Sequence, residues 1–259
     1  MSENGAGPGG AGEPLLLIHG LGGSTGVWAP VLPLLAGERQ VVALDLPGFG
    51  KAPPLPDGDE PTAARMAEVL HEQCLELGVE RPHVAGNSLG AWTALEMGRF
   101  GWARSVTALS PAGLWRNTSP ARRSPVRVWG NRLRPLVSAA LAVKPLRERA
   151  LTTFVGHPER LPTAAGRELV LGWLTSPGYD AANRAMRSHL FDPDGYPEDV
   201  PVTIAWGELD RLVGPPKPER RPAGARFLTL PGVGHTPMWD DPELVARTLL
   251  EGSRTKERL

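Results

Sequence analysis

The chain has 259 residues, 41% of them hydrophobic, with 28 basic side chains against 28 acidic ones and one cysteine. A chain of this length buries roughly 70–75% of the surface its unfolded form exposes, enough for one large domain without metal or disulfide staples. Zero net charge argues against non-specific nucleic-acid binding, no apolar run approaches the about 18 residues of a membrane span, and Cys74 alone cannot bridge, so a cytoplasmic protein without a nucleic-acid or membrane partner is expected.

The first residues, MSENGAGPGGAGEP, have no basic start and no apolar core, so residues 1–13 read as a disordered tail and not as a secretory signal. Short apolar runs then alternate with helical patterns. Leu15-Leu-Leu-Ile18, Gln40-Val-Val-Ala-Leu-Asp45 and His83-Val-Ala85 suit strands buried on both faces. Between Thr62 and Leu77, the apolar residues Met66, Val69, Leu70, Cys74 and Leu77 recur at spacings of three and four, with Thr62 as N-cap and Gly78 as stop. That is an amphipathic helix with Cys74 on its apolar stripe. Residues 106–110, 202–206 and 227–230 supply three further strands, and Asp241-Pro242-Glu243 opens a last helix. Alternating strands and helices predict an α/β fold with a mostly parallel sheet of about six strands flanked by helices. Residues 14–112 and 200–259 would form this core. Residues 113–199 carry no strand pattern; a helical stretch of about 85 residues is too long for a plain loop and reads as a cap.

Gly86-Asn87-Ser88-Leu89-Gly90 follows a predicted strand and precedes a helical segment, the context in which a sharp turn thrusts a serine above a sheet. A serine hydroxyl becomes nucleophilic only when a base removes its proton and a third group holds that base in the right tautomer. His235, in Gly232-Val-Gly-His-Thr-Pro237 after the last strand, is the candidate base. His157 and His189 fall in the cap, His71 on a helix and His83 at the start of a strand, on the opposite edge. Asp210, in Trp206-Gly-Glu-Leu-Asp210, is the candidate orienting acid, with Glu208 as its rival.

The order Ser88, Asp210, His235, together with His19-Gly20-Leu21-Gly22-Gly23 and Asp45-Leu-Pro-Gly-Phe-Gly50, resembles the α/β-hydrolase superfamily from about residue 14 to residue 252 outside the cap. The resemblance implies that the backbone N–H groups of Leu21 and Leu89 form an oxyanion hole, and that Asp45 and His19 are structural. The fold would lack the family's first two strands. Serine at position 88 points to acyl transfer, where relatives with dehalogenase or epoxide-hydrolase chemistry carry aspartate. A serine hydrolase of small or medium carboxylic esters, lactones or thioesters is expected, needing no cofactor and no metal. Trp115, Trp129, Leu133 and Trp173 would line its pocket. Asn87 resembles the residue beside the nucleophile in carbon–carbon hydrolases of ring-cleavage products, the alternative activity, and a non-catalytic ligand receptor is the alternative of another class.

A nucleotide reading fails on context. Gly7-Pro-Gly9-Gly-Ala-Gly12 precedes the first strand, and Gly20-Leu-Gly22-Gly-Ser-Thr25 lacks its third glycine. Arg116, Arg122, Arg123, Arg127, Arg132 and Arg134 form an acid-free run, expected to be either a solvated face or a landing site for an anionic substrate.

Overall fold

A computed structural model describes residues 5–121 and 125–254. Seven strands form one sheet in the order β1-β3-β2-β4-β5-β6-β7. They are β1 (Gly5–Gly9), β2 (Pro14–Ile18), β3 (Gln40–Leu44), β4 (His83–Asn87), β5 (Ser105–Leu109), β6 (Val202–Gly207) and β7 (Arg226–Leu230). The strands from β2 to β7 pair in parallel, as their apolar runs predict.

Part of the expected tail belongs to the sheet. β1 pairs antiparallel with β3, Gly5 opposite Leu44 and Gly9 opposite Val41. An edge strand is held by backbone hydrogen bonds, which glycine makes as well as any residue, so hydropathy is silent there. Two glycines beyond it are needed for their shape: Gly10 and Gly12 adopt φ of +102° and +87° where the chain runs against residues 36–39.

Alternate residues of the strands feed two cores. Leu16, Ile18, Val42, Leu44 and Val84 pack against α2 (Ala63–Glu76) and α3 (Leu89–Arg99), while Leu15, Leu17, Val41, Ala43 and Ala85 pack against Trp28 and α9 (Pro242–Gly252). Both predicted caps form. The Thr62 hydroxyl accepts from Arg65 N–H at the start of α2, and the Asp241 carboxylate accepts from Leu244 N–H at the start of α9. Cys74 is buried on the apolar stripe of α2, which pushes its thiol up to about 12.

Between β5 and β6 the described residues form helices and no strand: α4 (Pro125–Arg132), α5 (Arg134–Ala140), α6 (Lys144–Leu151), α7 (Thr163–Thr175) and α8 (Tyr179–Ser188). The remaining α-helix is the single turn α1 (Leu32–Leu35). Leu141, Leu151, Val155, Leu161 and Val170 form a third, separate apolar cluster in this segment. Among the described residues no helix is long and apolar enough to cross a membrane. Strand order reverses between β2 and β4, which lie side by side, and in open α/β sheets ligands bind beyond the carboxyl ends of strands at such a point.

Candidate active site

Ser88 stands where β4 gives way to α3, with φ 56° and ψ −116°. Few non-glycine residues hold such angles, and here the surroundings impose them. Ser88 N–H donates to Leu109 O at 2.9 Å, Ser88 O accepts from Ala112 N–H at 3.0 Å, and the tight turn leaves no room for a Cβ at Gly86 or Gly90. Both glycines flanking the serine are therefore required by close backbone approach.

His235, on the loop between β7 and α9, is buried with its Nδ1 2.7 Å from Asp210 Oδ2. The other carboxylate oxygen accepts from Leu212 and Val213 N–H groups, each at 2.9 Å. Burial works against the Asp210 charge, yet the hydrogen bond and electrostatic pull of His235 and the two N–H donors outweigh it, holding the carboxyl below its ordinary value. With Nδ1–H donated to Asp210, Nε2 carries the lone pair. That Nε2 is buried and has no hydrogen-bond partner among the described residues, Ser88 Oγ included, although both residues line one chamber of about 860 Å³. Glu208, the rival acid, accepts from Gly232 N–H at 2.8 Å and so braces the same loop from behind.

Leu21 lies on the loop after β2, and a Cβ added to Gly20 would stand 3.0 Å from Ser88 Cβ. Gly20, Leu21, Gly22 and Gly23 all border the chamber. The Leu21 N–H donates to no backbone acceptor among the described residues. Leu89 N–H opens α3, where helix geometry provides no partner. His19 supports this loop: Nδ1 bonds Gly20 O at 2.8 Å and Nε2 accepts from Leu46 N–H at 3.0 Å, while burial holds the ring's pKa down and neutral. Asp45 accepts from Thr25 and Lys51 N–H groups, a loop-bracing role.

Of the four expected pocket residues, Trp115 and Trp173 line the chamber. Trp129 and Leu133 do not: they face water, 60% and 47% exposed, because the helical periodicity that marks an apolar stripe does not say which way the stripe points. Of the arginine run, Arg116, Arg132 and Arg134 are exposed and Arg127 is buried over the Tyr179 ring, whereas Arg122 and Arg123 lie outside the described residues. Among the described residues no group of three His, Cys, Asp or Glu side chains is placed to hold a metal.

Two residues to which the sequence gives no such role, Asn87 and Asp240, hold the histidine loop. Asn87 donates its Nδ2 hydrogens to His235 O at 2.8 Å and Leu109 O at 3.2 Å, so its amide is occupied with backbone. Buried Asp240 accepts three backbone N–H groups, from Gly234 at 2.7 Å and from Gly156 and His157 at 2.8 Å, joining the histidine loop to the helical segment. Adjacent Asp241 gives a recognisable helix-cap signal; Asp240 has no local signature because its partners are remote in sequence.

The profile of the alpha/beta hydrolase family matches residues 15–248. An epoxide hydrolase, EphH, of Mycobacterium tuberculosis is 32% identical over 207 residues, covering 70% of this chain and 90% of that one. The dihydrolipoyllysine-residue acetyltransferase component of the acetoin cleaving system of Pseudomonas putida is 30% identical over 253 residues, 92% of this chain but 63% of its own length, so this chain spans less than two thirds of that protein. Among solved structures, a thermophilic esterase from Thermogutta terrifontis superposes with TM-score 0.69 at 22% identity, covering 94% of this chain and 90% of that one, a likeness of fold. By the extent of the profile match and the identity to these relatives, the chain belongs to the alpha/beta hydrolase family.

Proposed function

We propose that this alpha/beta hydrolase is a serine hydrolase that cleaves small or medium carboxylic esters, lactones or thioesters through an acyl-enzyme on Ser88. The observation that carries the reading is the bare, buried Nε2 of His235 facing the chamber that Ser88 lines, with Asp210 behind the ring. With substrate bound, Ser88 Oγ closes on Nε2, a contact that free hydrolases often hold long. Nε2 takes the hydroxyl proton as Oγ bonds to the carbonyl carbon, and the oxyanion accepts from Leu21 and Leu89 N–H groups. The imidazolium returns its proton to the leaving oxygen or sulfur as that bond breaks. Water then repeats the sequence on the acyl-enzyme, releasing the acid and restoring the Ser88 hydroxyl. Residues 113–199 act as the cap that encloses the apolar part of the substrate.

The likeness to an epoxide hydrolase does not carry its covalent chemistry here. An alkyl group on aspartate is an ester that water can cleave, but on Ser88 it would be an ether, which this site has no means to hydrolyse. The carbon–carbon reading rested on Asn87, whose amide hydrogens are held by two backbone carbonyls. Fluorophosphonate labelling tests the proposal: adduct on Ser88, together with turnover of at least one member of an ester, lactone and thioester panel, is expected. A native protein that neither labels nor turns over any of them is a ligand receptor and not an enzyme.

A further inference from the structure

The ten large apolar side chains exposed among the described residues are not scattered: seven fall between residues 126 and 146, on α4, α5, α6 and their connections. Trp129 is 60% exposed and Leu136 66%, and Val128, Leu133 and Val143 join them. Single exposed apolar residues are ordinary, but a concentration of this kind marks a surface that meets something. Its charge is mainly positive. Residues 97–147 contain no Asp or Glu, and Arg132 and Arg134 are exposed beside these apolar side chains, while exposed Lys144 pairs with Glu148 at 3.7 Å. The Arg132 guanidinium lies over the Trp129 ring at 5.6 Å, an apolar and cationic pair of the sort that sits at a lipid headgroup boundary.

The same face surrounds the way into the chamber. Val126, Leu146 and Leu212 line the chamber and are each about half exposed or more, so they stand at its mouth. Beyond them Val137, Leu141, Leu169 and Val170 continue an apolar wall inward. An apolar tail that enters here need not cross water.

We infer that the face formed by Val128, Trp129, Leu133, Leu136 and Val143, with Arg132 and Arg134, docks on an anionic lipid surface and receives amphiphilic esters from it through the mouth at Val126, Leu146 and Leu212. The docking stands on the surface alone; delivery of an ester to Ser88 rests on the function proposed above. A second copy of the chain on this face would bring Arg132 and Arg134 of two copies together, whereas an anionic lipid layer matches both those cations and the apolar insertion. This replaces the expectation of no membrane partner, which looked only for a long apolar span.

The test uses the Ser88→Ala protein, which leaves lipids intact, sedimented with large vesicles of phosphatidylcholine with or without phosphatidylglycerol at low and high salt. Binding to the anionic vesicles, weakened by salt, is expected. Val128→Asp with Leu136→Asp should lower the partition coefficient at least tenfold, and Arg132→Gln and Arg134→Gln should each lower it about fivefold on anionic vesicles only. In a chain with Ser88 intact, Val128→Asp and Leu136→Asp should leave turnover of a soluble short-chain ester unchanged, which shows the fold is kept. No binding at low salt, or binding that all four substitutions leave untouched, overturns the inference. So does a dimer that the two aspartates dissolve in sedimentation velocity without any vesicle binding, which would make this face a self-interface. Vesicle binding by a protein that labels with no fluorophosphonate would remove the proposed activity and leave the docking standing.

Discussion

Strand β2 and helix α5 are both rich in apolar residues, yet four of the five residues in β2 are buried and none in α5 is. The difference lies in what surrounds them. β2 sits between β3 and β4 with helices on both faces, so each leucine has a partner on whichever side it points. α5 lies on the outside of the helical segment, and its apolar side chains turn partly to the chamber and partly to water. The sheet therefore holds Ser88, Asp210 and His235, the proposed reacting groups, at the ends of its strands, while the helical segment lines the chamber that Ser88 and His235 border.

That division can be broken by mutation. If the sheet supplies the chemistry, Ser88→Ala should lower kcat about 10⁵-fold for every accepted ester while circular dichroism stays unchanged; activity near that of the native chain would move the nucleophile elsewhere. Asp210→Asn should cost about 10⁴-fold in kcat, since an amide facing Nδ1 favours the wrong tautomer of His235, and the loss should appear in kcat more than in KM. For stability the contrast is direct: Leu16→Ala in the sheet should cost about 2–5 kcal/mol in urea unfolding, and Leu136→Ala in α5 less than about 0.5 kcal/mol. Equal costs would mean that the α5 surface is packed in solution.

Asp240 spans the two regions, so it sharpens the comparison. Asp240→Ala leaves three buried N–H groups without an acceptor and should cost about 2–4 kcal/mol, read as a lowered urea midpoint. If the bond to Gly234 also sets His235, kcat should fall before the protein unfolds.

Stability should also depend on pH. Burial lowers the pKa values of His19 and His83, against the raising influence of the Gly20 carbonyl on one and Glu13 on the other. Neutral forms are thus favoured in the folded state, while the unfolded chain protonates near about 6.5. Above that value the two states bind equal protons and nothing changes. Below it the unfolded chain takes protons the native one refuses, so stability should fall as pH drops, by at most about 1.4 kcal/mol per pH unit for each histidine, until the folded-state values are reached. Urea midpoints at pH 7 and pH 5 measure this, and His83→Gln should shallow the slope.

Much of the site is readable locally. Gly86 to Gly90 announces a tight strand-to-helix turn because close backbone approach leaves no alternative to glycine at its ends, and continuous apolar runs announce doubly covered strands. Residues whose role depends on distant partners are not readable in this way. Asn87 reads as a mark of substrate chemistry until its amide is found on the His235 and Leu109 carbonyls. Glu208 and Asp210 are equivalent as letters, and only the path of the loop puts one on the imidazole and the other on Gly232 N–H.

Side-chain type, spacing and backbone permission were decided along the chain: which segments become strands, where α2 and α9 begin, and which serine can stand on a turn. Tertiary structure alone decided that a glycine-rich stretch becomes edge strand β1, that Asp240 ties two regions together, and that the apolar stripe at Trp129 and Leu133 points outward. Each of those depends on hydrogen bonds or on burial supplied by residues far away in the chain, and neither leaves a period or a motif in the local sequence.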